Sequence, residues 1–181
     1  RLVIDIGGRS TEMILGRGDD PIRAESFAVG SVSLSMRHFG DGMLTAEAFR
    51  AAQVAAGAEL EEALQPFAPS QWDEALGSSG TAGAVSQLLL AMGHADGAVT
   101  PDRLRALIER CIAAGHVDRL ELPGLKGDRK PVIAGGLALR DEAAKLRAVW
   151  QVAAHADDRE IVAGDAVVHI VGLHVEQADV V

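Results

Sequence analysis

The first twelve residues constrain this chain more than any other stretch. Leu2-Val3-Ile4-Asp5-Ile6 reads as a strand buried on both faces, and Gly7-Gly8 ends it. Thr11 to Leu15 alternates in the manner of a second strand, and Gly16 to Pro21 supplies a turn. Ile22 to Val29 reads as a third strand. Strand, glycine turn, strand, turn, strand predicts an antiparallel opening to a mixed sheet.

Helices are expected next. Thr45 is a good N-cap for an Ala-rich run that reaches Leu64 and stops at Pro66. Trp72 to Leu76 is a short strand candidate, followed by the loop Gly77-Ser78-Ser79-Gly80 and a helix from Thr81 to about Met92. Thr100-Pro101 places an N-cap ahead of Pro at the first helical position, and that helix ends near Gly115. Pro131 to Ala134 reads as a short apolar strand, Gly135-Gly136 as a second glycine turn, and a helix follows to about Trp150. Ile161-Val162 is a strand candidate. Val167 to Val171 is apolar throughout and fits a strand or a buried helical turn.

Composition narrows the function classes. The 181 residues suffice for one domain with a real core, or for one half of a two-lobed enzyme, and 48% are apolar. A formal charge of −9 argues against a broad nucleic-acid surface, which needs excess Lys and Arg. No apolar run reaches the roughly 20 residues that span a bilayer, so no membrane partner is expected. Cys111 is the only cysteine, so no internal disulfide forms, which fits a reducing cytoplasm. The chain opens on Arg1 directly in a strand-like run, as a part of a longer protein would.

The stretch Asp5-Ile6-Gly7-Gly8-Arg9-Ser10-Thr11-Glu12 is richest in chemistry. Glycines let backbone N–H groups approach an oxyanion closely. Ser10 and Thr11 carry hydroxyl donors for phosphoryl oxygens. Asp5 is a hard oxygen ligand for Mg²⁺, and Glu12 is placed to orient or deprotonate a water. An ordinary polar hairpin has the same pattern, and both readings stay open. Ser79, Gly80 and Thr81 form a second candidate anion loop at the positive end of a helix, where a simple N-cap would look the same. Gly135-Gly136 is a third strand–glycine–helix junction. Joined in space, the three would form a phosphate cleft.

His38, His94, His116, His155, His169 and His174 lack the spacing of a helical zinc site. No nucleophile-elbow pattern occurs, which argues against a serine hydrolase. Cys111 lies on an apolar helix face and is expected to be inert.

With these motifs in view, Arg1 to Leu15 (RLVIDIGGRSTEMIL) resembles the second phosphate motif of the exopolyphosphatase and guanosine pentaphosphate phosphohydrolase family. Ser26 to Leu34, Gly77 to Thr81, Leu122 to Arg129 and Val132 to Leu139 resemble later motifs of that family, in order. The resemblance implies an α/β, ribonuclease-H-like (actin-like ATPase) lobe with a mixed sheet and flanking helices. It implies phosphoanhydride hydrolysis with Mg²⁺ as cofactor, and polyphosphate or guanosine pentaphosphate as substrate. It further implies Asp5 as metal-associated, Gly7, Gly8, Ser10, Thr11, Ser79, Gly80 and Thr81 as phosphate contacts, and Glu12 as a catalytic acid. Residues 1–181 would then be the second lobe, with the N-terminal lobe and its phosphate loop absent. A lobe without its partner is expected to be a poor hydrolase by itself, and to dimerise through its exposed wall or be marginally stable.

Arg9 departs from the pattern, standing where the family has a third glycine. Ala166-Val167-Val168-His169 stands where the family has a helical signature with Arg and Gly, and lacks both. A phosphate- or partner-binding domain without turnover is an alternative, as is a kinase-like lobe of the same superfamily with Gly135-Gly136 holding adenosine. Ser10-Thr11-Glu12 favours the phosphatase.

Overall fold

A computed structural model describes residues 1–18 and 20–143 and the backbone of 150–152, 161–163 and 166–168. Three strands open it: β1 (Leu2–Ile6), β2 (Thr11–Arg17) and β3 (Asp20–Phe27). β1 and β2 are antiparallel, with Leu2 opposite Leu15 and Ile6 opposite Thr11, and β3 continues the meander. The expected antiparallel opening is therefore present.

Side chains along β1 and β2 alternate. Leu2, Ile4, Ile6, Thr11, Met13 and Leu15 are buried, whereas Val3, Asp5, Glu12 and Ile14 are only half-buried. One face of the sheet thus packs on helices. The other face presents Val3, Ile14, Ala24 and Ile22, the last 61% exposed.

After β3 come α1 (Ser31–His38) and α2 (Ala46–Leu60), and the chain returns in β4 (Ala75–Ser78). β4 lies parallel to β1, with Ile4 opposite Gly77 and Asp5 opposite Ser78. Then follow α3 (Gly80–Ala91), α4 (Pro101–Ala114), α5 (Lys130–Ala143) and β5 (Trp150–Val152). β5 pairs parallel to β4, giving the order β3-β2-β1-β4-β5. β6 (Ile161–Ala163) and β7 (Ala166–Val168) form a separate antiparallel pair.

The helices follow their sequence signals. The Thr45 and Thr100 hydroxyls accept from the N–H groups of Ala48 and Arg103, the expected N-caps. Gly115 closes α4 at φ +71°, where a side chain would be strained. Leu104, Leu107, Ile108 and Cys111 form the buried stripe of α4, and Phe49, Ala52, Ala56 and Leu60 that of α2. Phe39 and Phe49 pack in a tilted pair with ring centroids 4.8 Å apart. No helix among the described residues is long and apolar enough to cross a membrane.

Three expectations fail. Ser31 to His38 is a helix that the sequence did not announce, because its serines and Val32 carry low helix propensity and packing decides the outcome. Pro131 to Ala134 is no strand and Gly135-Gly136 no turn, since both lie inside the continuous helix α5. Its Pro131 sits in the first turn, where a missing N–H costs nothing. Trp150 belongs to β5 and not to a helix. His155, His169 and His174 lie outside the described residues.

Candidate functional site

The β1–β2 turn is built against the start of α1. The N–H groups of Ser31 and Val32 donate to the carbonyls of Gly7 and Gly8, both at 2.9 Å, and Ser33 N–H donates to Gly8 O at 3.0 Å. The free N-terminal N–H groups of α1 are thereby spent on the turn. Gly30 permits this approach, because a Cβ there would collide with the Gly8–Arg9 peptide. Gly7 N–H closes the turn onto Ser10 O at 2.9 Å. Among the described residues, no hydrogen bond takes the N–H groups of Gly8, Arg9 or Ser10, and the Ser10 hydroxyl also has no partner. This turn therefore offers three amides and one hydroxyl to an anion. Arg9 keeps negative φ and an exposed side chain, so the lost third glycine does not distort the turn.

Thr11 corrects its expected role. It is fully buried, and its hydroxyl donates to Val29 O at 2.7 Å. It ties β2 to the strand-to-helix junction and faces away from the open turn.

The second loop lies beside the first. Ser79 holds φ +107°, the one positive value outside glycine among the described residues, and its hydroxyl caps α3 by accepting from Ala82 N–H at 3.3 Å. Strain of this kind in a non-glycine residue costs about 1–3 kcal/mol and collects at functional sites. Gly80 and Thr81 open α3, where N–H groups have no acceptor one turn back. The Thr81 hydroxyl corrects its expected role as well. It donates to Ser31 Oγ at 3.2 Å, leaving only the backbone N–H of Thr81 for a ligand.

The carboxylates occupy one row across the open sheet face. Ser26 stands opposite Glu12, Glu12 opposite Asp5, and Asp5 opposite Ser78, on four adjacent strands. Ser26 Oγ donates to Glu12 Oε1 at 3.0 Å. Two carboxylates directly opposed in an antiparallel pair repel each other. Among the described residues no group of three or more His, Cys, Asp or Glu side chains gathers as a metal cage. Two carboxylates suit Mg²⁺, which keeps waters and takes its remaining ligands from substrate phosphates.

Two arginines outside the glycine motifs, Arg129 and Arg140, also approach this region. A Cβ on Gly80 would lie 2.9 Å from Arg129 Nη2, and one on Gly77 would lie 2.6 Å from Arg140 Nη2. Arg129 remains 43% exposed at the rim. Arg140 is fully buried, and burial pushes its guanidinium down to about 9, which leaves it charged at neutral pH. Arg129 ends the family-like stretch Leu122 to Arg129, which is the one sequence signal for either arginine.

Gly135 and Gly136 do not reach the cleft. A Cβ on Gly135 would collide with the Ser31 carbonyl and lie 2.5 Å from Ser35 Oγ. One on Gly136 would lie 2.7 Å from Thr81 Cγ2. They let α5 close on α1 and are buried, so no third anion loop and no adenosine site exists there. His38 sits at the end of α1, with its pKa lowered by burial and by Arg37, and lies on no row of the site.

The chain is similar in sequence and fold to known proteins. Residues 1–147 fit the model of the Ppx/GppA phosphatase family. Over 139 residues, 77% of this chain, it is 40% identical to a Haemophilus influenzae protein provisionally named an exopolyphosphatase. Over the same length it is 40% identical to guanosine-5'-triphosphate,3'-diphosphate pyrophosphatase of Aeromonas salmonicida. The aligned region spans 43% of the first relative and 28% of the second. Among solved structures, the Aquifex aeolicus PPX-GPPA enzyme superposes with a TM-score of 0.65 at 17% identity, covering 83% of this chain and 52% of that one. An exopolyphosphatase from Cytophaga hutchinsonii gives 0.58 at 20% identity, covering 83% and 52%. These chains have the actin-like ATPase fold, as the resemblance implied. The sequence match over most of the chain and the shared mixed α/β architecture place this chain in the Ppx/GppA phosphatase family.

Proposed function

We propose that this chain forms one wall of a cleft that removes terminal phosphate from inorganic polyphosphate or guanosine pentaphosphate. One observation carries the reading. Two amide-bearing turns, at Gly8–Ser10 and Gly80–Thr81, follow the parallel neighbours β1 and β4 at the same sheet edge, beside the carboxylate row of Asp5 and Glu12. Open α/β sheets place ligands at the carboxyl ends of their strands.

In this reading the amides and the Ser10 and Ser79 hydroxyls cradle phosphoryl oxygens, and Arg129 adds charge at the rim. Glu12 accepts a proton from the attacking water. The water oxygen bonds to the terminal phosphorus, the anhydride P–O bond breaks, and the shortened chain leaves with the bridging oxygen. The protein mostly positions the groups and neutralises developing charge. Mg²⁺, held by Asp5 with Glu12 nearby, would supply charge neutralisation of the phosphates. The half-exposed apolar face with Val3, Ile14 and Ile22 suits a covering lobe or a second copy.

Calorimetric titration with inorganic triphosphate, with and without Mg²⁺, tests this. Asp5→Ala should weaken the Mg²⁺-dependent component more than the metal-free one. Equal affinities for the variant and the original chain in both conditions would remove the metal role, and failure of the original chain to bind triphosphate would remove the site.

A further inference from the structure

The two anion turns are joined by a side-chain link that passes through a buried serine. Ser31 is 4% exposed and cannot touch a ligand in the cleft. Its hydroxyl donates to Gly7 O at 3.1 Å and accepts from Thr81 Oγ1 at 3.2 Å. One end of this link is therefore the β1–β2 turn and the other is the first turn of α3. Ser31 itself is pinned from behind, because Gly135 of α5 brings its backbone against the Ser31 carbonyl. Gly136 sets the Thr81 methyl in the same way.

We infer that Ser31 is a positioning residue that fixes the spacing of the two anion turns, so that a condensed phosphate can engage both at once. The inference rests on the site reading above. Main-chain bonds from Ser31, Val32 and Ser33 already hold the first turn to α1. The hydroxyl is thus not needed to form the turn, and what it adds is the tie to Thr81. A ligand with one phosphorus touches one turn and is insensitive to their spacing. A ligand with two or three condensed phosphoryl groups spans both, and misplacing one turn loses part of its contacts.

The test compares inorganic triphosphate with orthophosphate, read by calorimetry and by the amide resonances of Gly8, Arg9, Ser10, Gly80 and Thr81. In the original chain all five amides should follow one triphosphate saturation curve. Ser31→Ala and Thr81→Val should each weaken triphosphate about five- to tenfold, the range of one lost hydrogen bond. Orthophosphate affinity should change less than about twofold in both variants. The double variant should be no weaker than either single one, since both remove the same link. Thr81→Ser, which keeps the hydroxyl, should restore affinity.

Unchanged triphosphate affinity in Ser31→Ala overturns the inference and leaves the site standing. So does additive loss in the double variant, or an equal loss for both anions that tracks the thermal midpoint. Failure of the original chain to bind either anion removes the site itself, and the inference with it.

Discussion

Gly7-Gly8 and Gly135-Gly136 are the same dipeptide, and each follows an apolar run ending in Ile or Ala. The first is a turn in which Gly7 N–H closes onto Ser10 O and the exposed Gly8 keeps its amide open, and the second is a buried helix–helix contact. What separates them is what approaches the missing side chain. At Gly8 the nearest group is a Val32 methyl, 3.2 Å from a Cβ that is not there. At Gly135 it is the backbone of α1 and Ser35. A glycine pair is therefore ambiguous until its neighbours are known. It makes either room for a ligand or room for another helix.

The difference can be broken or sharpened by substitution. Gly135→Ala should have the largest effect. Its methyl meets main-chain atoms that cannot rotate away, so unfolding in denaturant should show a loss of about 1–3 kcal/mol or more. Gly8→Ala should cost less than about 1 kcal/mol, because only a Val32 methyl has to give way. If Gly8→Ala proves the costlier change, the assignment of turn and contact glycines is reversed.

Thr11→Val falls between the two. It leaves the buried Val29 carbonyl without its donor, a loss of about 1–3 kcal/mol in stability. Anion binding should be unchanged, which separates Thr11 from Ser10 by experiment. Ser79→Gly should be small. Relief of its positive φ and loss of its cap to Ala82 oppose each other, so the thermal midpoint should move by no more than a few degrees.

The smallest effect concerns Cys111. Burial raises its thiol to about 12 in the folded chain, above its ordinary value. The unfolded thiol therefore loses its proton first as pH rises. Its contribution to stability is complete below about 9 and is lost between there and about 12. A thiol reagent near pH 8 should react only as fast as the chain opens, and rapid labelling of the folded chain would place Cys111 elsewhere.

Much of this was legible in the residues. The apolar run of β1, the alternation of β2 and the Thr45 and Thr100 caps are local signals that tertiary packing did not override. The helix α1 was not legible, because Ser31 and Ser35 look like loop residues until α5 covers them. The roles of Thr11 and Thr81 were hidden for the same reason. A hydroxyl beside a glycine turn reads as a ligand donor, and only the fold reveals that Val29 O and Ser31 Oγ claim it. Arg140 is invisible to charge-pattern reasoning, which places an Arg in a helix on the solvated side.

The central claim is that the β1–β2 turn and the start of α3 form one anion site. Amide resonance shifts of this chain on addition of inorganic triphosphate and Mg²⁺ test it most directly. Gly8, Arg9, Ser10, Gly80 and Thr81 should shift together and saturate at one ligand per chain, while amides around Gly135-Gly136 move little. Saturating shifts confined to one turn, or centred on surface arginines away from both, would contradict the account.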